Sequence, residues 1–162
     1  MKFFLQIKAW QLFVIWVILF IFSLISYIAS LLLMLTFFLW IYSIGTGMNS
    51  FIPQDSRPSI TYFKFSCVFV VVVMITFSLN DIYHWMHLPG WFELPLMLYC
   101  FLSIIYVIMF AARMVESAIN GKLVNRSDSF GTFLYIIFTP WGVWSIQKEI
   151  RKFLANNTVI EP

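Results

Sequence analysis

Between Lys8 and Asp55 the chain carries no charged side chain. A helix in a soluble core does not need so long an uncharged run, whereas two membrane crossings of about 20 residues each do. The whole chain agrees: 62% of residues are apolar and 10% charged, with a mean hydropathy of +0.91. A soluble domain carries about a quarter charged residues, so this chain has too little polar surface to cover itself in water. The first apolar run also exceeds the roughly 7–15 residues of a signal-peptide core and lacks a small-residue cleavage site, so it reads as a retained helix. The pattern predicts a single all-α domain over residues 1–162, a polytopic membrane helical bundle of about four transmembrane helices.

Hydropathy and turn residues place the spans. The first covers about residues 10–27, and the polar dip at Ser23, Ser26 and Ser30 suggests a tight turn near 28–30. The second covers about 31–44, followed by a loop containing Gly45, Gly47, Pro53 and Pro58. A third runs over about 63–79, and a fourth over about 94–112, ending on Arg113. With the N-terminus in the cytoplasm, all ten Lys and Arg fall on the cytoplasmic side. The connection 80–93 holds only Asp81 and Glu93 as charges. The positive-inside rule therefore predicts cytoplasmic N- and C-termini. The same distribution explains the net charge of +3 as topology rather than nucleic-acid binding.

Residues 130–146 are apolar but short for a span, and Pro140 and Gly142 interrupt them. A crossing there would put Lys148, Arg151 and Lys152 outside, against the charge rule. From Trp141 onward, Val143, Ile146, Ile150, Phe153 and Leu154 fit one helical face, with Gln147, Lys148, Arg151 and Lys152 opposite. That is the pattern of an interfacial helix whose basic face meets anionic lipid headgroups. The expectation for about 130–154 is a re-entrant or interfacial segment, with a fifth span as the rival.

Asp128, Gly131, Phe133, Phe138, Pro140, Gly142, Trp144 and Gln147 stand at the spacing D-x-x-G-x-F…F-x-P-x-G-x-W-x-x-Q. Trp40 to Gly45, Phe63-Lys64, and Ala112-Arg113 with Glu116 accompany it. Together they resemble an uncharacterised family of small multipass inner-membrane proteins of Bacteroidetes-type bacteria. The family's usual Pro-Ile-Gly and Gln-Pro stand here as Pro140-Trp141-Gly142 and Gln147-Lys148. The resemblance implies a bacterial inner membrane and supplies no activity.

Few residues offer chemistry. Asp81, His84 and His87 are three apart, which on a helix gives one face with ligands suited to zinc. Against that stands an external loop whose Trp85 and Trp91 are ordinary interfacial anchors. Arg113 and Glu116 form an i,i+3 pair, either docking the C-terminal segment or a partner, or making a surface ion pair with Arg113 reaching the headgroups. Ser127 or Asp128 is placed to cap the following helix. Pro140 and Gly142 mark either a broken helix lining a site or a bend that leads into the surface helix carrying Trp144. Cys67 and Cys100 lie an estimated ~15 Å apart in depth, too far for a disulfide.

Ionisable groups are missing from the interiors of the spans, where transporters usually need them. No nucleophile–base pair, phosphate loop or cofactor motif is visible either. The expected role is a non-catalytic accessory, binding or scaffold subunit, without cofactors, partnered by lipid and by another membrane protein or itself. The alternatives are a small oligomeric transporter or channel using Thr36, Ser66, Thr76 and Ser103, or a membrane immunity protein.

Overall fold

A computed structural model describes residues 7–83, 89–138 and 141–158, and contains no strand among them. Six α-helices follow one another: α1 Ala9–Ser23, α2 Tyr27–Asn49, α3 Thr61–Tyr83, α4 Gly90–Ile119, α5 Phe130–Ile137 and α6 Trp141–Thr158. A 3-10 turn, Gln54–Ser56, stands between α2 and α3. The protein is an all-α helical bundle. Three of its helices, within α2, α3 and α4, are long and apolar enough to cross a membrane, and the chain is a membrane protein on that ground.

The first hairpin differs from expectation. Its turn lies at residues 24–26 rather than 28–30, because Ser26 is the extended residue (φ −135°, ψ 122°) and Ser30 is already inside α2. Ser23 spends its hydroxyl on the Phe20 carbonyl at 2.7 Å, and the Ser30 N–H bonds the Ser26 carbonyl at 3.2 Å. The serines thus close helix ends instead of forming a loop. At 1.5 Å per residue the 15 residues of α1 reach only about 22 Å, less than a hydrocarbon core of about 30 Å.

α2 continues through Gly45 and Gly47, where the sequence suggested a loop. Gly45 lets a neighbouring helix approach: a Cβ there would collide with the ring of Phe63. That ring is fully buried, stacked on Phe110 at 4.5 Å and near-parallel to Tyr42 at 6.1 Å. Arg57 then ties the loop to the end of α2, donating to the carbonyls of Ser50 at 2.8 Å and Ile52 at 2.9 Å. The first is the carbonyl of the C-cap residue of α2, and the second lies in the turn just beyond it.

α2, α3 and α4 pack side by side, with α1 against α2 and the short α5 against α4. Lipid tails are as apolar as leucine, so helix association in a bilayer relies on close packing rather than water exclusion. The buried Ser43, Gly45, Ser66, Ser103, Ala111, Ala112, Ser117 and Ala118 supply the small contact residues such packing needs. Large apolar side chains such as Phe20, Ile25, Phe65 and Leu102 are exposed, as lipid-facing positions are. Tyr62 meets Tyr106 and Phe69 meets Tyr99, so α3 and α4 run antiparallel. That register brings Cys67 and Cys100 nearer in depth than the ~15 Å that helix rise along the expected spans implied; both are buried free thiols.

Two long-range contacts set the bundle's polarity. Gln147 on α6 donates to the Ile7 carbonyl at 3.0 Å, and Phe153 meets Phe51 edge-on at 5.3 Å. Both extremities of the described chain therefore lie at one end, together with the loop after α2.

Candidate functional site

α4 ends in a Schellman motif. Gly121 takes φ +64°, the Lys122 N–H reaches the Ser117 carbonyl at 3.2 Å, and the Gly121 N–H reaches that of Ala118 at 3.2 Å. The reversed chain is then tied back to the helix it left. Arg113 Nε donates to the Val124 carbonyl at 2.7 Å, and Ser117 Oγ accepts the Val124 N–H at 3.1 Å. One turn apart on the same face, these two side chains occupy both backbone polar groups of one loop residue. Glu116 accepts a hydrogen bond from Thr132 on α5. Arg113 and Glu116 thus each hold the segment that follows α4, and no ion pair between them is present among the described residues.

The Thr132–Glu116 bond is charge-assisted and partly buried, the class worth about 1.5–3 kcal/mol. Thr132→Val keeps the shape and removes the donor, so it is expected to cost about 1.5 kcal/mol in detergent unfolding. Glu116→Gln keeps an acceptor and should cost less.

α5 begins at Phe130 after Ser129, whose hydroxyl bonds the Arg126 carbonyl at 3.0 Å. Neither Ser127 nor Asp128 is the cap; Ser127 donates to Asp128 at 3.2 Å instead. After eight residues α5 gives way to α6, which packs back on it. Pro140 lies outside the described residues. Gly142 explains the close return: a Cβ there would overlap the carbonyl group of Tyr135, so only glycine lets the two backbones meet.

α6 turns Val143, Ile146, Gln147 and Ile150 inward, all buried, and leaves Lys148, Glu149, Arg151 and Lys152 exposed. Its apolar stripe packs on the bundle, notably on α1. Gln147 does not belong to the polar face assigned to it above. At 100° per residue it lies about 40° beyond Val143, at the edge of the arc that runs from Ile146 through Ile150 to Val143, and its hydrogen bonds turn it inward. There it accepts the Trp40 indole N–H at 3.0 Å while donating to Ile7. Trp40 is fully buried and meets Trp16 edge-on at 5.4 Å. One glutamine thereby joins α6, α2 and the start of α1.

The outer side of this junction is a cleft of about 460 Å³ lined by Lys8, Ala9, Trp10, Trp144, Lys148, Arg151 and Lys152. Trp144 is held by an edge-on contact with Phe13 of α1 at 6.1 Å. Among the described residues, four cations and two indoles converge without an acidic side chain in the lining. Trp144 and the three α6 cations are legible in the sequence as one helical flank. Lys8 and Trp10 are not, because their proximity to that flank is a long-range contact. The only trace in the sequence is that both stand at the foot of the first apolar run, where interfacial anchors gather.

The remaining candidates are less connected. Asp81 falls in the last turn of α3, and His84 and His87 lie outside the described residues, so the proposed metal face does too. Thr36 and Thr76 spend their hydroxyls on carbonyls of their own helices, at 2.9 Å each. Ser66 and Ser103 are buried.

No protein-family model matches the chain, and the searches of curated proteins and of solved structures returned no match.

Proposed function

We propose that the chain is a non-catalytic accessory, binding or scaffold subunit of a bacterial inner membrane, with both termini in the cytoplasm. It works through its helices and through the basic flank of α6. One observation supports this most directly: the Trp40–Gln147–Ile7 hydrogen bonds anchor α6 by its buried stripe. The anchored helix then presents Lys148, Arg151 and Lys152 outward as a fixed surface. The described Lys and Arg stand near the end of the bundle where α1 starts and α6 docks. A cytoplasmic location for that end satisfies the positive-inside rule. The inner-membrane assignment also draws on the resemblance of the C-terminal motif.

A reporter fused after residue 162 is expected to give a cytoplasmic signal, and a periplasmic signal would overturn the orientation. Purified without crosslinking, the protein should carry a stoichiometric membrane partner. Solute flux through liposomes holding the protein alone would favour the transporter reading instead.

A further inference from the structure

The cleft between α1 and α6 is built from two ends of the chain, and its lining suggests what occupies it. On α6, Lys148 stands four residues after Trp144, and Arg151 and Lys152 stand three and four after Lys148, so the four share a flank. Lys8 and Trp10 face them from the start of α1. Positive side chains held together repel one another where, as among the described lining residues, no acid stands between them, and an anion in the cleft would relieve that repulsion. Trp10 is 51% and Trp144 46% exposed, the half-wet placement indoles take at headgroup level.

A second feature separates a lipid from a soluble anion. From Trp10 an exposed apolar stripe continues up α1 through Val14, Ile18 and Ile21, at steps of four, four and three residues. Its rise is about 16 Å, close to half of a hydrocarbon core of about 30 Å. The stripe thus matches one leaflet's acyl chain and starts at the cationic cleft. We propose that this cleft binds the headgroup phosphate of an anionic phospholipid, with an acyl chain lying along that stripe of α1. Basic pockets between helices at the cytoplasmic face are a recurrent form of lipid headgroup recognition. This proposal deepens the reading of α6 as a lipid-facing surface. It makes the site bipartite, with Lys8 contributing as much as the α6 cations.

The test is native mass spectrometry of the full-length protein in detergent, titrated with phosphatidylglycerol, phosphatidylcholine or inorganic phosphate. Phosphatidylglycerol should bind with one copy strongly retained and phosphatidylcholine markedly more weakly. Lys8→Gln and Arg151→Gln should each weaken phosphatidylglycerol binding about fivefold, while Lys122→Gln, an exposed cation outside the cleft, should leave it unchanged. Full affinity in Lys8→Gln would overturn the two-element site and leave adhesion by α6 alone. Equal losses in Lys122→Gln would reduce it to diffuse electrostatics. Inorganic phosphate binding as tightly as phosphatidylglycerol would assign the cleft to a soluble anion. None of these failures touches the subunit reading, which stands or falls on the co-purified partner.

Discussion

Replacing Gly142 with alanine is expected to lower the stability of the detergent-solubilised protein by about 3 kcal/mol, the upper end of overpacking costs. The new Cβ would occupy the space of the Tyr135 carbonyl group. Backbone cannot rotate aside as a side chain can, so the turn between α5 and α6 must open. Opening it draws Val143 and Ile146 out of their buried positions at the start of α6. Protease cleavage within residues 138–158 should therefore accelerate along with the loss of thermal stability. Gly131 is the internal control. It also lies in the C-terminal motif, but a Cβ there meets nothing within 4 Å. Gly131→Ala, inside helix α5, is expected to be neutral or stabilising by up to about 1 kcal/mol through helix propensity. Equal tolerance of the two substitutions would refute the packing account of Gly142.

Gln147→Leu is expected to cost about 2–5 kcal/mol. Leucine fills similar space but leaves the Trp40 indole N–H and the Ile7 carbonyl without the partners they have at 3.0 Å. The stranded, buried Trp40 donor costs about 1–3 kcal/mol, and the partly buried Ile7 carbonyl and lost packing supply the rest. Trp40→Phe removes the indole donor and a share of the aromatic packing on Trp16. In the double variant the stranded donor no longer exists, so the two losses should fall short of additive by about 1 kcal/mol. Unfolding of the four proteins in detergent, compared as a cycle, measures that coupling. Strict additivity would show that the hydrogen bond contributes nothing beyond packing. The Gln147 single variant should also free the N-terminal residues from α6, visible as faster amide exchange around residues 7–10.

Gly131 and Gly142 show the limit of sequence reading. Both stand in one motif, and although Gly142 beside Pro140 reads as a break in an apolar stretch, nothing in the sequence says what meets it. Only the return of α6 on α5 distinguishes a glycine that a neighbouring backbone requires from one in open space. Gln147 is a different case, because helical geometry puts it on the border between the apolar arc and the basic flank of α6, and only its buried partners decide the side it joins. Treating polarity as a sign of exposure hid it. Gly45 was misread as loop-forming for a related reason: a helix among close neighbours uses glycine to admit an aromatic ring, whereas an isolated helix only pays its propensity cost.

The uncharged run from Lys8 to Asp55 determined by itself that the chain belongs in a bilayer and is helical. Backbone polar groups in hydrocarbon must be satisfied within the segment or within a closed barrel. Tertiary structure alone decided how that run is divided, with the turn at residues 24–26 and only its second helix long enough to count as a membrane span. It also decided that the foot of the run, at Lys8 and Trp10, meets the basic flank of α6 to form one cleft. Burial and charge are local properties that composition records. The meeting of residues 8 and 148 depends on the Gln147 hydrogen bonds and the Gly142 close approach, and no local pattern encodes either.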